Sequence, residues 1–303
     1  MLDISVIILT YNEELHLRRC LDNVCPLVRA VFLIDCFSTD RTLDIACEYP
    51  KVRVLQHAWP AGQHAEQFNW ALDNAPIETS WVMRLDADEY LTPELAEELQ
   101  VRLPALDGRT GGIVLPLHRY FLGRRIRHGI AGGIRLLRIF RAGAARSEMR
   151  LMDEHLKLME GEVVEFRHGF CDHNLNDLGW WVRKHVGYAT REAADLLNLE
   201  FQFRKPETDG GIGHIEDQAL KKRRRKERYA RAPLFWRSAL YFLYRYVFRL
   251  GFLDGKEGFL WDFLQGWWYR TLVDARVYEI KKACGNDPDR IRRHLAEHHG
   301  LFL

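Results

Sequence analysis

The six cysteines of this 303-residue chain form no C-x-x-C pair and follow no regular spacing. This argues against a zinc site and against a disulfide framework, and it is typical of a reducing compartment. The sequence also lacks a charge-free stretch of about eighteen residues, so no membrane-spanning helix is expected. Its first residues, Met1 to Ile4, contain an acid and no basic segment, so no signal peptide is expected.

The chain has little net charge, because 44 lysines and arginines face 42 aspartates and glutamates. It is therefore not a polyelectrolyte as a whole, which gives no general reason to expect a polyanionic partner. A hydrophobic content of 47% is enough for a buried core, and the length allows one large or two modest domains. The aromatic residues make up 12% and are concentrated late in the chain.

Apolar segments alternate with helix-like segments through the first third of the chain. The predicted strands are residues 4–9, 31–34, 52–55 and 80–83. The predicted helices run from Asn12 to about Val24, from Ser38 to about Tyr49, and from His64 to Asn74. This alternation predicts an α/β fold, in which helices flank a mainly parallel, right-handed sheet.

An acidic turn follows the fourth predicted strand. Asp86 and Asp88 come directly after it, and Thr92 is expected to cap the next helix. In open α/β sheets, ligands bind at the carboxyl edge of the strands, which is where these acids fall. Two carboxylates that point the same way suit Mg²⁺ or Mn²⁺ held together with a diphosphate. A solvated acidic turn without a ligand is the alternative interpretation.

Three motifs occur in a characteristic order, at residues 5–14 (SVIILTYNEE), 34–40 (IDCFSTD) and 85–89 (LDADE). In order and spacing they resemble the nucleotide-binding half of the family 2 glycosyltransferases, and the resemblance covers roughly residues 3–170. It implies a GT-A-like fold, a nucleoside-diphosphate sugar as donor, with UDP favoured, and transfer with inversion at the anomeric carbon.

The resemblance also implies roles for single residues. Asp35 would border the nucleobase, Asp86 would approach the ribose or the metal, and Asp88 would hold the divalent cation. The residues expected against the base and ribose are Thr10, Tyr11 and Glu13.

The chain departs from the family pattern at two places, where Cys36 stands for a common acid and Phe68 for a common arginine. Both departures concern recognition of the nucleobase. The candidates for the missing contact are Gln63, His64 and Gln67.

An acidic pair at Asp153-Glu154 precedes His155. An inverting transferase needs a carboxylate opposite the leaving nucleotide, which takes the proton of the acceptor hydroxyl. The resemblance places the family's base at this point in the order, which favours Glu154 as catalytic base and Asp153 as the second choice. The alternative is an acidic helix start with a structural histidine.

Residues 113–117 and 134–140 are predicted strands on either side of a Gly- and Arg-rich link, which is either a lid or a plain hairpin. His168 and His173 flank a short segment that follows. A third metal ligand is conceivable here, but the absence of paired spacing favours structural roles. Asn176 is predicted to cap a long helix from Leu178 to about Leu199.

The last third of the chain combines a basic run, residues 221–226, with aromatic helical segments at 235–253 and 259–273. Arg237 and Arg245 fall on one side of the first segment, and Leu240 and Val247 on another. This pattern favours peripheral, salt-sensitive contact with the headgroups of an anionic membrane. A helical subdomain that packs its aromatic residues on the catalytic part is the alternative.

The predicted organisation is a catalytic domain over residues 1–200, with a nucleotide half to about 110 and an acceptor half to 200, followed by a helical region to 303. The tail also resembles that of bacterial lipopolysaccharide-core and capsule glycosyltransferases. The leading interpretation is thus a cytoplasmic enzyme at the inner face of the cytoplasmic membrane, which adds a sugar to a membrane-associated glycan or glycolipid in surface polysaccharide assembly.

Two other functions compete with this interpretation. A nucleotidyltransferase of the sugar-nucleotide pyrophosphorylase type needs a glycine-rich, basic phosphate loop after the first strand, and residues 10–13 have no glycine or basic residue. A nucleic-acid-binding module would use the basic run, with steep salt dependence. That run does not explain the three sheet-edge motifs, so no nucleic acid partner is expected.

Overall fold

The structure, a computed structural model, describes residues 1–58, 64–148, 155–203 and 229–301. Its strands are β1 (Leu2–Thr10), β2 (Val28–Asp35), β3 (Val52–Gln56), β4 (Trp81–Asp86), β5 (Glu89–Leu91), β6 (Thr110–Phe121), β7 (Arg124–Arg125), β8 (Arg135–Arg141), β9 (Ala145–Ser147), β10 (Leu156–Leu158), β11 (Glu162–Glu165) and β12 (Phe170–Asp172). Its α-helices are α1 (Leu17–Val24), α2 (Thr42–Cys47), α3 (His64–Asn74), α4 (Pro93–Arg102), α5 (Leu178–Phe201), α6 (Trp236–Leu243), α7 (Gly255–Trp261), α8 (Tyr269–Cys284) and α9 (Pro288–His299).

One large sheet organises the first two thirds of the chain. Strands β3, β2, β1 and β4 lie side by side in parallel, and the order continues with β8, β6, β12 and β5. The second half is mixed, because β8 runs antiparallel to both β4 and β6 while β12 is parallel to β6. The α/β fold predicted from the sequence, with helices on a curled, GT-A-like sheet, is confirmed.

The two faces of the sheet are both covered, which explains the continuous apolar runs of its central strands. Alternate residues of β1 enter different cores because strand side chains alternate between faces. Ile8 lies in one core with Leu21 of α1, and Ile7 lies in the other with Phe68 of α3. The sheet is therefore a rigid, buried platform whose strand ends carry the polar groups.

The strands β1, β2 and β4 end level with one another. In the register of the sheet, Thr10 pairs with Asp35, and Leu9 pairs with Asp86. All three motifs found in the sequence therefore meet at one carboxyl edge. The cap predicted after the acidic turn is also confirmed, since the Leu95 amide donates to Thr92 Oγ1 over 3.2 Å.

The predicted helix starts at Asn12, Ser38 and Asn176 are wrong, and side-chain hydrogen bonds explain why. Helix α2 begins at Thr42, because the Ser38 amide donates to the Asp35 carboxylate at 2.9 Å. Helix α1 begins at Leu17, because Asn12 has a φ of +56° and its side chain accepts from the Thr39 amide at 2.8 Å. It links two loops and does not cap a helix. Helix α5 is capped by Asp177, whose carboxylate accepts from the Trp180 amide at 2.7 Å, and not by Asn176.

The Gly- and Arg-rich link between β6 and β8 is a packed hairpin. Strand β7 pairs back onto β6, with Phe121 opposite Arg124. Beyond it, Ile126 is buried in a small apolar cluster with Trp261 of α7. The Asp254 carboxylate accepts from the backbone amide of His128 at 2.7 Å. The hairpin thus joins the sheet to the C-terminal helices, and the lid interpretation has no support in these contacts.

The C-terminal helices form a separate apolar layer with α5. Ala193 and Leu197 of α5 share a core with Val277 and Ile280 of α8 and with Leu295 of α9. Helices α6 and α7 each continue into a π-helical turn, at Tyr244–Phe248 and Asp262–Trp268. None of the helices in the described ranges has the length and apolarity needed to cross a bilayer.

Arg237 of α6 and Arg245 of the following π-helical turn are not available to lipid headgroups, contrary to the prediction from the sequence. Arg237 and Arg245 do share one side of the helix, but both side chains are buried and paired with acids. That part of the membrane prediction is wrong, because the helix turns its charged side towards the protein. The basic run at residues 221–226 lies outside the described residues.

Candidate active site

Asp35 is buried at the end of β2 and is held by donors from three segments. Its carboxylate accepts from Thr10 Oγ1 at 3.2 Å, from the Ser38 amide at 2.9 Å and from Gln56 Nε2 at 3.4 Å. These bonds fix the carboxylate at the sheet edge. Thr10 is itself buried, so its side chain positions Asp35.

The loop after β1 presents Tyr11 and Glu13 at the same edge. The Tyr11 side chain is 51% exposed, which leaves its ring free to lie against a flat ligand. Glu13 Oε2 lies 2.7 Å from Nδ1 of the buried His16, and His16 Nε2 accepts from the Leu175 amide at 2.9 Å. The imidazole proton is thus on Nδ1 and is donated to Glu13, which is thereby oriented.

Asp86, at the end of β4, is held against a buried ion pair. Glu89 Oε1 accepts from Arg138 Nη2 at 2.7 Å, and Glu89 Oε2 accepts from the Asp86 amide at 2.8 Å. The Asp86 side chain is 43% exposed and its carboxylate lies 3.8 Å from both Arg138 and Arg84. Burial opposes its ionisation, but these arginines outweigh that effect, so the pKa of Asp86 lies below its ordinary value.

Asp88 is fixed by a segment that returns after β12. Its Oδ2 accepts from Asn174 Nδ2 at 2.9 Å, and its backbone oxygen accepts from Arg19 at 3.1 Å. Arg19 also donates to the His173 carbonyl at 2.5 Å. Asp172 lies beside this turn and pairs with Arg119 at 2.8 Å. Sequence reasoning missed Arg19 and Asn174, which hold Asp88 in place, because these contacts span long stretches of chain.

The donor set at this edge fits a divalent cation that is completed by a ligand. The described residues contain no group of three or more metal-binding side chains, but Mg²⁺ typically takes one or two carboxylates and completes its shell with phosphate and water oxygens. Asp86 and Asp88 provide such a pair. Burial raises the pKa of Asp172, and despite Arg119 the charges of Asp88 and Asp86 raise it further.

The two histidines considered as extra ligands have structural partners. The His168 ring lies 3.1 Å from Glu98, whose carboxylate also accepts from the His168 amide at 2.9 Å. The His173 ring stacks on Tyr120 with centroids 4.7 Å apart. Burial, together with Arg19, lowers the pKa of His173. Both histidines are therefore accounted for by packing and hydrogen bonding.

A lysine from the C-terminal layer faces the acids. The Lys184 side chain on α5 is exposed, and its Nζ lies 4.5 Å from the centroid of Trp180. Desolvation opposes its charge, but Tyr188, Asp88 and Glu13 outweigh that effect, so the pKa of Lys184 lies above its ordinary value. Nothing in the sequence pattern around residue 184 singles it out.

The residues considered for the missing contact to the nucleobase have different surroundings. His64 starts α3 near Asp86, and burial lowers its pKa to about 4, so it is neutral at pH 7. Gln67 is buried, and its amide lies 3.4 Å from the Ile34 carbonyl, so it faces the sheet. Gln63 lies outside the described residues, as do both candidate bases, Asp153 and Glu154.

Residues 5–147 match the family model described as glycosyl transferase family 2. A lipopolysaccharide core biosynthesis glycosyltransferase, LpsC of Rhizobium meliloti, is 26% identical over 92% of this chain and 93% of its own length. An uncharacterized glycosyltransferase of Rickettsia felis is 32% identical, and the match spans 32% of each protein, about a third of that relative.

Among solved structures, TarS of S. aureus in complex with UDP-GlcNAc matches with 15% identity over 99% of this chain and 92% of that one. The TM-score is 0.43, so the assignment depends on the family model and on the sheet-edge motifs. Those motifs, at Thr10, Asp35 and Asp86, lie within the matched region and at one edge of the sheet. Residues 5–147 are therefore similar to the family 2 glycosyltransferases, as the motifs predicted.

Proposed function

We propose that this protein is an inverting glycosyltransferase, which moves a sugar from a nucleoside-diphosphate sugar to a hydroxyl of a membrane-associated glycan or glycolipid. The observation that carries the proposal is the meeting of Thr10, Asp35 and the Asp86–Asp88 turn at one sheet edge inside the region similar to family 2 glycosyltransferases. Similarity to LpsC along 92% of the chain favours bacterial surface polysaccharide as the product.

In this proposal the donor nucleotide lies across the ends of β1 and β2. The exposed ring of Tyr11 stacks on the base, Asp35 borders it, and Glu13, oriented by His16, accepts from a ribose hydroxyl. We favour a UDP-sugar. Of the two described candidates, we favour the neutral His64 as the contact to the nucleobase, because Gln67 faces the sheet.

The diphosphate would lie between the acidic turn and α5. Asp88 and Asp86 would hold Mg²⁺ or Mn²⁺, which supplies positive charge where the leaving diphosphate gains negative charge. Lys184, whose charge is stabilised by Asp88, would donate to the phosphate oxygens. Stabilising the leaving group in this way is the main electrostatic task of the site.

The acceptor hydroxyl would attack in line with the departing diphosphate. Glu154 takes its proton as general base, and Asp153 is the second choice. We assign residues 1–200 to catalysis, with acceptor contacts from residues 111–200. We further propose that the helical region up to residue 303 keeps the enzyme at the inner face of the cytoplasmic membrane, where a lipid-linked acceptor is concentrated.

A donor-hydrolysis panel tests this function. Purified protein is incubated with UDP-, GDP- and dTDP-sugars, with and without Mn²⁺ or Mg²⁺, and released nucleoside diphosphate is measured. We expect metal-stimulated release of UDP from one UDP-sugar. Release of pyrophosphate in place of a nucleoside diphosphate would identify a nucleotidyltransferase, and no turnover of any donor would contradict the proposal.

A further inference from the structure

The polarity of helix α6 and its π-helical turn is inverted. The side that packs on the protein carries Arg237, Ser238 and Arg245, all of which are buried. The opposite side is apolar and open, with Trp236 at 73% and Phe248 at 75% exposed. A helix at the surface of a water-soluble protein normally buries its apolar stripe and exposes the charged one.

The buried arginines fix this orientation. Arg237 donates to the Asp274 carboxylate from Nε at 2.8 Å, and its Nη1 donates to the Ala230 carbonyl at 2.8 Å. Arg245 donates from Nε to Asp262 at 2.8 Å. Rotating the helix to bury its apolar side would leave four charges without partners, which is strongly unfavourable in a protein interior. The outward apolar side is thus a stable property of the fold.

The exposed apolar side of α6 continues onto the next helices without a break. Phe242 stacks on Trp267 with ring centroids 5.4 Å apart, and Tyr246 contacts Phe259 at 5.6 Å and Phe252 at 6.2 Å. We call the exposed apolar surface of residues 236–267 the outer face. Its exposed large apolar side chains are Trp236, Leu240, Leu243, Tyr244, Val247, Phe248, Leu250, Phe252, Leu253, Phe259 and Trp267.

The exposed charges of the outer face are cationic. Between residues 236 and 267 the exposed charged side chains are Arg249 and Lys256. Of the three acids in that range, Asp254 and Asp262 are buried, and Glu257 is partly buried and lies 3.5 Å from Arg124. An apolar surface with a cationic margin matches an anionic bilayer, whose negative headgroups surround an apolar interior.

We propose that the outer face inserts into the boundary between headgroups and acyl chains of an anionic bilayer. Exposed tryptophan and tyrosine rings suit that depth, and the exposed cations Arg249 and Lys256 would meet the headgroups. This inference rests on the proposed function, which requires a membrane-associated acceptor, and it names the surface that makes the contact. Apolar insertion, not the arginines of α6, is the main attractive contact.

This mode of attachment differs from the one predicted from the sequence. Attraction between basic side chains and headgroups is screened by salt and disappears at high ionic strength. Insertion of apolar side chains is not screened, so a substantial part of the binding to anionic vesicles should persist at about 1 M salt, where the Debye length is about 3 Å.

Vesicle flotation with the full-length chain tests the inference. The variants are Leu240→Glu and Phe248→Glu, which place a charge on the outer face, and the control is Val101→Glu on α4, also an exposed apolar position. We expect each outer-face variant to bind phosphatidylglycerol vesicles at least tenfold more weakly than the wild type. The control should bind like the wild type, and urea unfolding should be unchanged in all three.

Three outcomes would overturn the inference. Binding of Phe248→Glu and Leu240→Glu at wild-type strength would do so, as would complete release of the wild type by salt. The third outcome is that the wild type does not bind vesicles and sediments as a dimer, and that Leu240→Glu dissociates this dimer. The outer face would then bind a second copy of the chain. Donor hydrolysis by the same variants separates the membrane proposal from the proposed glycosyltransferase function. The hydrolysis rate should be unchanged in these variants, whether or not the outer face binds lipid.

Discussion

Glu89 is the side chain that organises the exposed carboxylates around it. It is buried, it accepts from the Asp86 amide, and it pairs with Arg138. A buried ion pair is costly to desolvate, so it adds little net stability by itself. Its effect is geometric, because it fixes the turn after β4 and leaves the Asp86 carboxylate open to a ligand. The acids at the edge thus divide into Glu89, which supports the turn, and Asp86 and Asp88, which the proposal assigns to the donor and its cation.

The catalytic base is tested by charge-neutral replacement. Glu154→Gln should retain nucleotide binding and lose turnover of a true acceptor by about 10²–10⁴-fold, the usual loss when a general base is removed. Acceptor-dependent release of nucleoside diphosphate measures this, and Asp153→Asn is the matched variant. Near-normal turnover in Glu154→Gln together with an inactive Asp153→Asn would assign the base to Asp153.

Lys184 provides a second test at the level of one residue. If its ammonium group binds the leaving diphosphate, Lys184→Ala should lower kcat by about 10- to 100-fold, as expected for loss of a charge-assisted hydrogen bond. The value of kcat/KM should fall with it, since the contact strengthens in the transition state. Lys282→Ala, an exposed lysine of α8, is the control. Equal kinetics for both variants would remove Lys184 from the site.

At the level of elements, the hydrophobic pattern predicts the strands well and the orientation of α6 poorly. Strands β1, β2 and β4 consist mainly of buried apolar residues, so their burial has one solution. In α6 the spacing predicts that Arg237 and Arg245 share a side, which is confirmed. Spacing does not say which side faces the protein. That depends on Asp262 and Asp274, whose positions in space are set by other helices.

Long-range contacts also explain why some residues of the candidate site could not be predicted from the sequence. Asp35, Asp86 and Asp88 are local features at strand ends, so they were found from the sequence. Arg138 reaches Glu89 across 49 positions and Asn174 reaches Asp88 across 86. Lys184 on α5 is 96 positions from Asp88, whose charge raises the pKa of the lysine. Contacts between distant segments follow from how the elements dock, which periodicity and capping do not encode.

The inverted orientation of α6 predicts a large stability effect at Asp274. Asp274→Asn keeps the shape of the side chain but leaves the buried Arg237 charge without its partner, so the free energy of unfolding should fall by about 3–5 kcal/mol. Urea unfolding measures this. Glu279→Gln, which removes an exposed ion pair on the same helix, should change it by less than about 1 kcal/mol. Similar small effects in both variants would contradict the assigned role of the ion pair.

Across the whole molecule, α5 joins the two parts. In its first half Trp181 packs on Phe121 at the end of β6, and its second half places Ala193 and Leu197 in the core shared with α8 and α9. The packed hairpin, through His128 and Asp254, makes a second connection. The outer face and the candidate active site are thus held by the same rigid elements, which would keep the site oriented towards an acceptor at a bilayer.

The central claim is that the Asp86–Asp88 turn binds a nucleoside diphosphate together with a divalent cation. Calorimetric titration of UDP, with and without Mn²⁺, tests it on the wild type, Asp88→Asn and the control Asp44→Asn, which changes an exposed acid of α2. We predict that Mn²⁺ strengthens UDP binding at least tenfold in the wild type and in Asp44→Asn and has no effect in Asp88→Asn, whose circular dichroism spectrum stays unchanged. Metal-dependent binding of equal strength in Asp88→Asn would contradict the account.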